Sequence, residues 1–217
     1  MFHVDLFRKH KSFAFSNLAA LINYSATFAV TFLLSLYLQF IKGYNPQQAG
    51  LILVSQPIVQ MIFSPFAGRL SDRMEPEFVA SIGMAISASG LLFFSFLGEK
   101  TGTLLVIGNL VLLGFGYALF SSPNTNAVMG SVEKRFYGVA SGILGTMRTT
   151  GMSFSMGTTM LIFSLCMGRT QITPALYPLF IRSARIAFAI FTVLCVGGTF
   201  ASLLKERKEG LTKERIV

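Results

Sequence analysis

Long apolar stretches alternate with short polar ones along the whole chain. The apolar runs cover roughly residues 13–40, 49–67, 78–98, 103–122, 137–167 and 184–204. Each run approaches or exceeds the ~20 residues that a helix needs to cross a hydrocarbon layer of ~30 Å. None shows the alternation at every second residue that is typical of strands in a membrane barrel. The pattern predicts an all-α, polytopic membrane protein with six transmembrane helices.

The amino-acid composition fits the same class of protein. Hydrophobic residues make up 53% of the chain and charged residues only 12%, and the mean hydropathy is +0.63. A soluble core does not account for apolar runs of this length. The first run is about twice as long as the ~7–15 apolar residues of a cleavable export signal. We therefore expect it to be retained as a span.

The basic residues are unevenly divided between the two sides of the membrane. With a cytoplasmic N-terminus, the larger group is cytoplasmic: Arg8, Lys9, Lys11, Arg69, Arg73, Lys134, Arg135, Lys205, Arg207, Lys208, Lys213 and Arg215. The smaller group then lies outside: Lys42, Lys100, Arg169, Arg182 and Arg185. The positive-inside rule therefore predicts cytoplasmic termini in the cell membrane, with a basic segment at 1–12, the bundle at 13–204 and a charged tail at 205–217. The three arginines near the last outer loop oppose this rule.

The sequence lacks the residue patterns that carry catalysis or bind metals. Cys166 and Cys195 have no CxxC spacing and no histidine nearby, so we interpret both as small buried side chains. His3 and His10 lie in the basic N-terminal segment. The absence of a nucleophile triad, paired carboxylates or a phosphate-binding loop argues against an enzyme, and neither a cofactor nor a metal is predicted. The net charge of +9 does not indicate nucleic-acid binding, because the basic residues are spread over loops and tails.

Polar side chains within the runs indicate which helices line an aqueous cavity. Amides and charges are costly in hydrocarbon and should face the bundle interior or water. The first, second, fourth and fifth runs contain such residues, whereas the third and sixth have only Ser, Thr or Cys. The candidate cavity residues are Asn23, Tyr24, Thr27, Gln56, Gln60, Asn109, Tyr117 and Arg148. Alternatively, any single amide only forms a hydrogen bond to a neighbouring helix.

Gln56 and Gln60 lie one helical turn apart on one face of the second run, beside Pro57. If both line a cavity, a cysteine at either position should react with a water-soluble thiol reagent. A cysteine at Phe191, in the sixth run, should not react.

Arg148 is the one charge well inside a run. Counted from a helix start near Phe136, it lies about 18 Å along the axis at ~1.5 Å per residue, near mid-membrane. An arginine at this depth costs ~2.5–3.5 kcal/mol on insertion scales, so we expect it to face the cavity or a partner helix. Its candidate partners are helix carbonyls, a carboxylate from outside this chain, or the amides of Gln56, Gln60 and Asn109. The alternative is a structural arginine that bonds carbonyls at a helix break near Gly151.

Small residues one turn apart predict two places where helices pack closely. Gly138 and Gly142 are spaced in this way, as are Gly83 and Ser87. This spacing of small side chains lets two helix backbones approach each other. We assign these four residues to helix packing and to no other role.

A charged stretch, GRLSDR at residues 68–73, joins the second and third runs. Arg69, Asp72 and Arg73 lie in this short connection, and Gly68 permits close approach of the backbone. The segment that follows, MEPEF, has the proline and acidic residues of a helix start. Alternatively, these are ordinary residues of a cytoplasmic turn.

The GRLSDR stretch resembles the G-x-L-x-D-R loop signature of the major facilitator superfamily, in its second-half version. Three other stretches are similar to the carboxy-terminal half of drug:proton antiporters of the fourteen-span multidrug branch. They are YNPQQAG before the second run, SSPNTNAVMGSVEKRFYGVASG leading into the fifth, and RTTGMSFSMG within it. The resemblance covers nearly the whole chain. The chain departs from the family after Arg73, where MEPE stands in place of a glycine and further basic residues.

This resemblance implies a transporter with alternating access, in which two six-span bundles rock around a central site. The chain then forms one bundle, itself an inverted repeat of three plus three spans. We expect it to export drug-like, amphipathic or cationic compounds together with a separate amino-terminal half or a second copy of itself. The alternatives are a non-transporting membrane interaction subunit, a truncated remnant of a full-length transporter and an intramembrane enzyme.

The positions of the acidic residues bear on the coupling ion. All nine lie in loops, tails or span ends, so this chain offers no mid-membrane carboxylate to carry a proton. We therefore expect that proton coupling, if present, depends on Asp or Glu in the partner half.

Overall fold

A computed structural model of the protein describes the backbone of residues 11–168 and 173–214, and the side chains of residues 12–168 and 173–200. Within these ranges the chain is almost entirely helical and has no strand. Six helical segments are long and apolar enough to cross a membrane. These first to sixth spans are Ser12–Ile41, Pro46–Ser71, Pro76–Phe94, Thr103–Gly130, Lys134–Met167 and Pro174–Phe200. The prediction of an all-α, six-span membrane protein is confirmed.

The largest difference from the apolar runs is at the start of the sixth span. Its α-helix, Tyr177–Glu214, begins well before residue 184, where the run begins. Arg182 and Arg185, which the charge pattern assigned to the outer loop, therefore belong to the first turns of this helix. The helix continues into the predicted tail. Residues 1–10, Arg169 and residues 215–217, which include parts of the predicted basic segment and tail, lie outside the described residues.

The helices are arranged as two equivalent triplets. The fourth span packs against the second and third, and the first packs against the fifth and sixth. The third and sixth spans also pack on each other, and the first meets the fourth. Exchanging the two triplets turns the fourth span's two contacts into the first span's two contacts and leaves the other two contacts unchanged, and successive spans alternate in direction. The contacts thus have the pattern of a three-plus-three inverted repeat, consistent with one major-facilitator half-bundle.

Gly83 and Ser87 lie at a close crossing of the third and fourth spans. A Cβ atom built on Gly83 would be 2.5 Å from the backbone nitrogen of Phe120. In the opposite direction, a Cβ atom built on Gly116 would be 2.7 Å from Ser87 Oγ. Because the obstacle at Gly83 is backbone, a side chain there fits only if the two helices separate.

Gly138 and Gly142 have no such contact in the part of the chain that the structure describes. A Cβ atom built on either would have no atom within 4 Å. The fifth span instead meets the first span through Gly151, where a Cβ atom would be 2.5 Å from the Leu21 carbonyl oxygen. The packing predicted for Gly138 and Gly142 therefore has no counterpart inside this bundle, because they lie on a different face of the helix from Gly151.

The second span consists of two helices, Pro46–Leu53 and Ser55–Ser71, which are separated at Val54. Pro57 explains the separation. It has no N–H to donate to the Leu53 carbonyl, and its ring crowds that carbonyl. The break at Val54 therefore lies six residues before Gln60, within the membrane-spanning part of the chain.

The start of the second span is set by the YNPQQAG stretch. The Asn45 side chain accepts a hydrogen bond from the Gln48 backbone nitrogen at 2.8 Å, and Gln48 Oε1 accepts one from the Asn45 nitrogen at 3.1 Å. Pro46 occupies the first helical position. This reciprocal capping satisfies two backbone donors at the helix end.

Candidate functional site

The second and fifth spans are the least covered helices of the bundle. In the most apolar stretch of each span, 11% of the second-span residues and 28% of the fifth-span residues are buried, against 56% in the third and 50% in the sixth. The exposed surface of the fifth span is polar around Arg148, since it carries Thr146, Thr149, Thr150 and Ser153. An arginine surrounded by hydroxyls in mid-span indicates contact with water or protein rather than with lipid.

Arg148 lies over the aromatic ring of Tyr24 in the first span. Its Cζ atom is 4.8 Å from the ring centroid, which is a cation–π contact. The Tyr24 hydroxyl is in turn 3.1 Å from Ser121 Oγ of the fourth span. The Arg148 Nε is buried and has no hydrogen-bond partner within the described residues. The pair thus joins three spans and leaves part of the guanidinium's hydrogen-bonding capacity unused.

The amides predicted as partners of Arg148 are engaged elsewhere or lie apart from it. Asn109 Nδ2 donates to the Gly90 carbonyl at 2.9 Å, which ties the fourth span to the third. Gln56 is 5% exposed, and its backbone carbonyl faces Gly114 of the fourth span. The fifth-span helix is also continuous at Gly151, so the helix break of the structural alternative is not observed. The Arg148 side chain is half-buried, so its buried Nε has no partner among the described residues while the rest of the guanidinium is partly accessible.

The other candidate cavity residues divide into interior and exposed positions. Asn23 and Tyr117 are 2% and 1% exposed, and Asn23 Nδ2 and the Tyr117 hydroxyl have no hydrogen-bond partner among the described residues. Thr27 donates to the Asn23 carbonyl of its own helix at 2.9 Å. Gln60 is partly exposed on the uncovered second span. The structure therefore brings Tyr24 and Arg148 together, and within the described residues it shows no hydrogen bond from Arg148 to Gln56, Gln60 or Asn109.

The GRLSDR loop begins in the helix, since its first four residues form the last turn of the second span, and it is anchored to the fourth span by polar residues. Ser71 Oγ donates to the Gly68 carbonyl at 2.7 Å and accepts a hydrogen bond from Asn126 Nδ2 at 2.7 Å. Gly68 also lies against the fourth span, since a Cβ atom there would be 3.0 Å from Ser122 Oγ. Three charged side chains of the loop are exposed, with no hydrogen bond or ion pair observed in the described ranges: Arg69, Asp72 and Arg73.

Glu77, one of the acidic residues predicted at a helix start, also joins two spans. It lies in the first turn of the third span, where its carboxylate accepts a hydrogen bond from Ser12 Oγ of the first span. With Asn124 it lines a small cavity between the first, third and fourth spans. Asn124 and Asn126 both occur in the SSPNTNA stretch, so this cluster of polar residues at the end of the fourth span was the indication in the sequence.

A cysteine at Gln60 is expected to react with a water-soluble thiol reagent faster than one at Gln56. Both cysteine variants would be made in a chain whose partly exposed Cys166 has been replaced. The rate of thiol labelling would then be measured in vesicles. Gln60 lies on the uncovered surface, whereas Gln56 packs on the fourth span. Phe191 is 0% exposed and tests burial rather than lipid contact, so Phe200, which is 63% exposed, is the better lipid-facing control. Equal inertness at positions 56, 60 and 200 would remove the cavity assignment.

Comparison with known proteins identifies relatives of this chain. The family model described as Major Facilitator Superfamily matches residues 17–215. The chain is 29% identical over 150 residues to the riboflavin transporter RibZ of Clostridioides difficile, which covers 69% of this chain and 32% of the relative. It is 30% identical over 151 residues to the multidrug resistance protein Stp of Mycobacterium tuberculosis, covering 70% and 28%. It is 27% identical over 152 residues to the methyl viologen resistance protein SmvA of Salmonella typhimurium, covering 70% and 30%. The chain thus spans about a third of the length of these curated relatives.

Proposed function

The chain belongs to the major facilitator superfamily, and we propose that it forms the carboxy-terminal half of an exporter of drug-like or amphipathic compounds. Membership places it among non-enzymatic membrane transporters. In this proposal it lies in the cell membrane with both termini cytoplasmic. The amino-terminal half completes the transport path, and the two halves alternate in opening to either side.

The incomplete burial of the second and fifth spans carries this proposal. These two helices contain Gln60 and Arg148, and they are far less covered than the third and sixth spans. An arginine and several exposed threonines on one of the two least covered helices would be costly in a bundle that faced lipid on every side. A second bundle placed there would enclose the polar surface and create a cavity between the two.

The same surface offers the second bundle a place for close helix contact. Gly138 and Gly142 have open space around them, and small residues at this spacing allow helix backbones to approach. The exposed charges of the GRLSDR loop lie at one end of the second span, beside this surface. We assign Arg69, Asp72 and Arg73 to contacts with the partner half at that end.

The test is transport by the chain with and without an amino-terminal half. The chain is reconstituted in vesicles alone and with a separately expressed amino-terminal six-span half, and accumulation of riboflavin and of methyl viologen is measured. We choose these compounds because relatives are named for them. Transport that needs both polypeptides is the expected result. We also expect any dependence on a pH gradient to disappear when membrane-embedded carboxylates of the amino-terminal half are neutralised, because this chain supplies none in mid-span.

Three outcomes would contradict parts of this proposal. Transport by the chain alone, with cross-linked dimers, would favour a homodimer in which two copies share one axis along the membrane normal. Proton-driven transport by the chain alone would also reject the assignment of coupling to the partner. Stable association of the two polypeptides without any transport would favour an interaction subunit.

A further inference from the structure

Three basic side chains line a cleft at the membrane end opposite the GRLSDR loop: Lys100, Arg182 and Arg185. The cleft has a volume of about 440 Å³ and lies between the loop at residues 98–100 and the first turns of the sixth span. Pro178 and Ile181 complete its wall, and Glu99 is the acidic member of the lining. The chain therefore has a positively charged cleft where the third and sixth spans leave the membrane.

The backbone of this cleft is held in place by three donors from two other parts of the chain. Arg185 Nε donates to the Leu97 carbonyl at 2.5 Å. The Tyr37 hydroxyl donates to the Gly98 carbonyl at 2.7 Å, and Lys42 Nζ donates to the Glu99 carbonyl at 2.7 Å. The first and sixth spans thus fix the loop from both sides, so the cleft is formed before any ligand binds.

The charges in the cleft are not neutralised within the described residues. The ion pair observed among the described residues joins Arg135 and Glu133, which lie on the other side of the membrane and outside the cleft. Three basic residues and one acidic residue give the lining a net charge of 3 − 1 = +2. Arg182 and Lys100 are exposed and have no hydrogen bond in the described ranges, so their donors are available to an anion. A phosphate group offers several acceptor oxygens, so it can accept hydrogen bonds from both of these side chains at once.

The surroundings of the cleft favour a lipid as the source of the phosphate. The third span ends at Phe94, so residues 98–100 lie at the level of the lipid headgroups. Next to them, Phe96 is 74% exposed and Leu104 is 82% exposed, and both would contact acyl chains. We propose that this cleft binds the phosphate of an anionic phospholipid headgroup. Such a ligand also offers a reason for the arginines that oppose the positive-inside rule. The proposal does not depend on transport.

The test uses a tryptophan as a reporter of bound lipid, because the natural chain has none. Phe96→Trp places one beside the cleft, and Val193→Trp places one at a comparably exposed site, 71% against 74%, in the middle of the sixth span and away from its charged ends. Each variant of the full chain is reconstituted with brominated phosphatidylglycerol or brominated phosphatidylcholine. Fluorescence quenching then gives the relative affinity for the two lipids. We expect the reporter at 96 to favour phosphatidylglycerol and the reporter at 193 to show no preference.

Charge variants locate the site. Arg182→Gln in the Phe96→Trp background should lower the preference for phosphatidylglycerol about fivefold, the usual effect of one basic residue at an anionic surface. Glu99→Gln should raise it, because the opposing charge is removed. Lys134→Gln, the same charge change at the other end of the bundle, should have no effect. Arg182 is the preferred site because Arg185 also holds the Leu97 carbonyl.

Two results would overturn the proposal. One is equal affinity for the two lipids at position 96, and the other is an Arg182→Gln variant that retains the full preference. Inorganic phosphate provides the second arm of the test. Displacement of phosphatidylglycerol by phosphate at physiological concentration would mean that the cleft binds free phosphate, and would reject the lipid as its ligand.

Discussion

Replacing Arg148 with alanine is expected to abolish transport by the assembled transporter while leaving the chain in the membrane at normal abundance. The guanidinium lies over the Tyr24 ring and has a buried Nε without a partner in the described bundle. Removing it loses a cation–π contact of ~0.5–2 kcal/mol. It also removes an insertion cost of ~2.5–3.5 kcal/mol. Because the second figure is the larger, abundance should not fall, and a loss of transport would report a role in binding or gating.

Variants of the same pair separate the functional role of Arg148 from a structural one. Arg148→Lys keeps the charge but loses the planar fork, so only partial transport is expected. Tyr24→Phe keeps the ring and loses the contact with Ser121, so it should retain more transport than Tyr24→Leu. The measurements are membrane abundance by immunoblot and substrate accumulation in vesicles. Disappearance of Arg148→Ala protein from the membrane would instead support a structural arginine, and unchanged transport would exclude both roles.

Replacing Gly83 with alanine is expected to destabilise the bundle by about 1–3 kcal/mol, the usual cost of overpacking. The new methyl group would lie 2.5 Å from the Phe120 nitrogen and 2.7 Å from the Gly116 carbonyl oxygen. Because both obstacles belong to the backbone, the third and fourth spans must separate to admit it. Gly83→Val should cost more still. The free energy of unfolding can be measured by titrating the purified chain from a mild detergent into a denaturing one.

Gly142→Ala is the matched control for this substitution. It makes the same chemical change in a mid-chain helix, but no described atom lies within 4 Å of the new Cβ. The stability of the isolated chain should therefore not fall. Binding of the amino-terminal half should weaken, because the proposed close contact on that face is lost. Equal stabilities for Gly83→Ala and Gly142→Ala would show that the third and fourth spans adjust to the extra methyl group.

The contrast between these two glycines shows what the sequence could and could not predict. Both lie in small-residue patterns of the same spacing, and the pattern indicates only that a close approach is possible. Which helix approaches depends on the tertiary arrangement, which places the fourth span against Gly83 and leaves Gly142 open. The six spans were predictable because length and hydropathy are local properties of the chain. The start of the sixth span was not, because Arg182 and Arg185 are charged and lie within a helix that extends to the membrane surface.

In the candidate site, too, the type and depth of a residue could be predicted from the sequence, whereas its contacts with other spans could not. The depth of Arg148 follows from counting residues along one helix, so its position in mid-span could be predicted. Its contact with Tyr24 could not, because the two residues belong to spans far apart in the sequence. Asn109 was predictable as a costly polar residue within a span. Only the structure assigns its hydrogen bond to Gly90 rather than to Arg148.

The exchange of contacts between the two triplets has a consequence for biosynthesis. The first span packs mainly on the fifth and sixth, which leave the ribosome after the other four spans of this bundle. Until these two spans are inserted, the first span remains in lipid. Ser25 and its other polar groups then lack their contacts with the fifth and sixth spans. Ser25 Oγ can donate to the Leu21 carbonyl of its own helix at 2.7 Å, but it reaches the Gly151 carbonyl, 2.9 Å away, only once the fifth span has packed. The bundle therefore closes as a late, post-insertion event, and a nascent chain that stalls before the fifth span exposes a first helix for quality control to recognise.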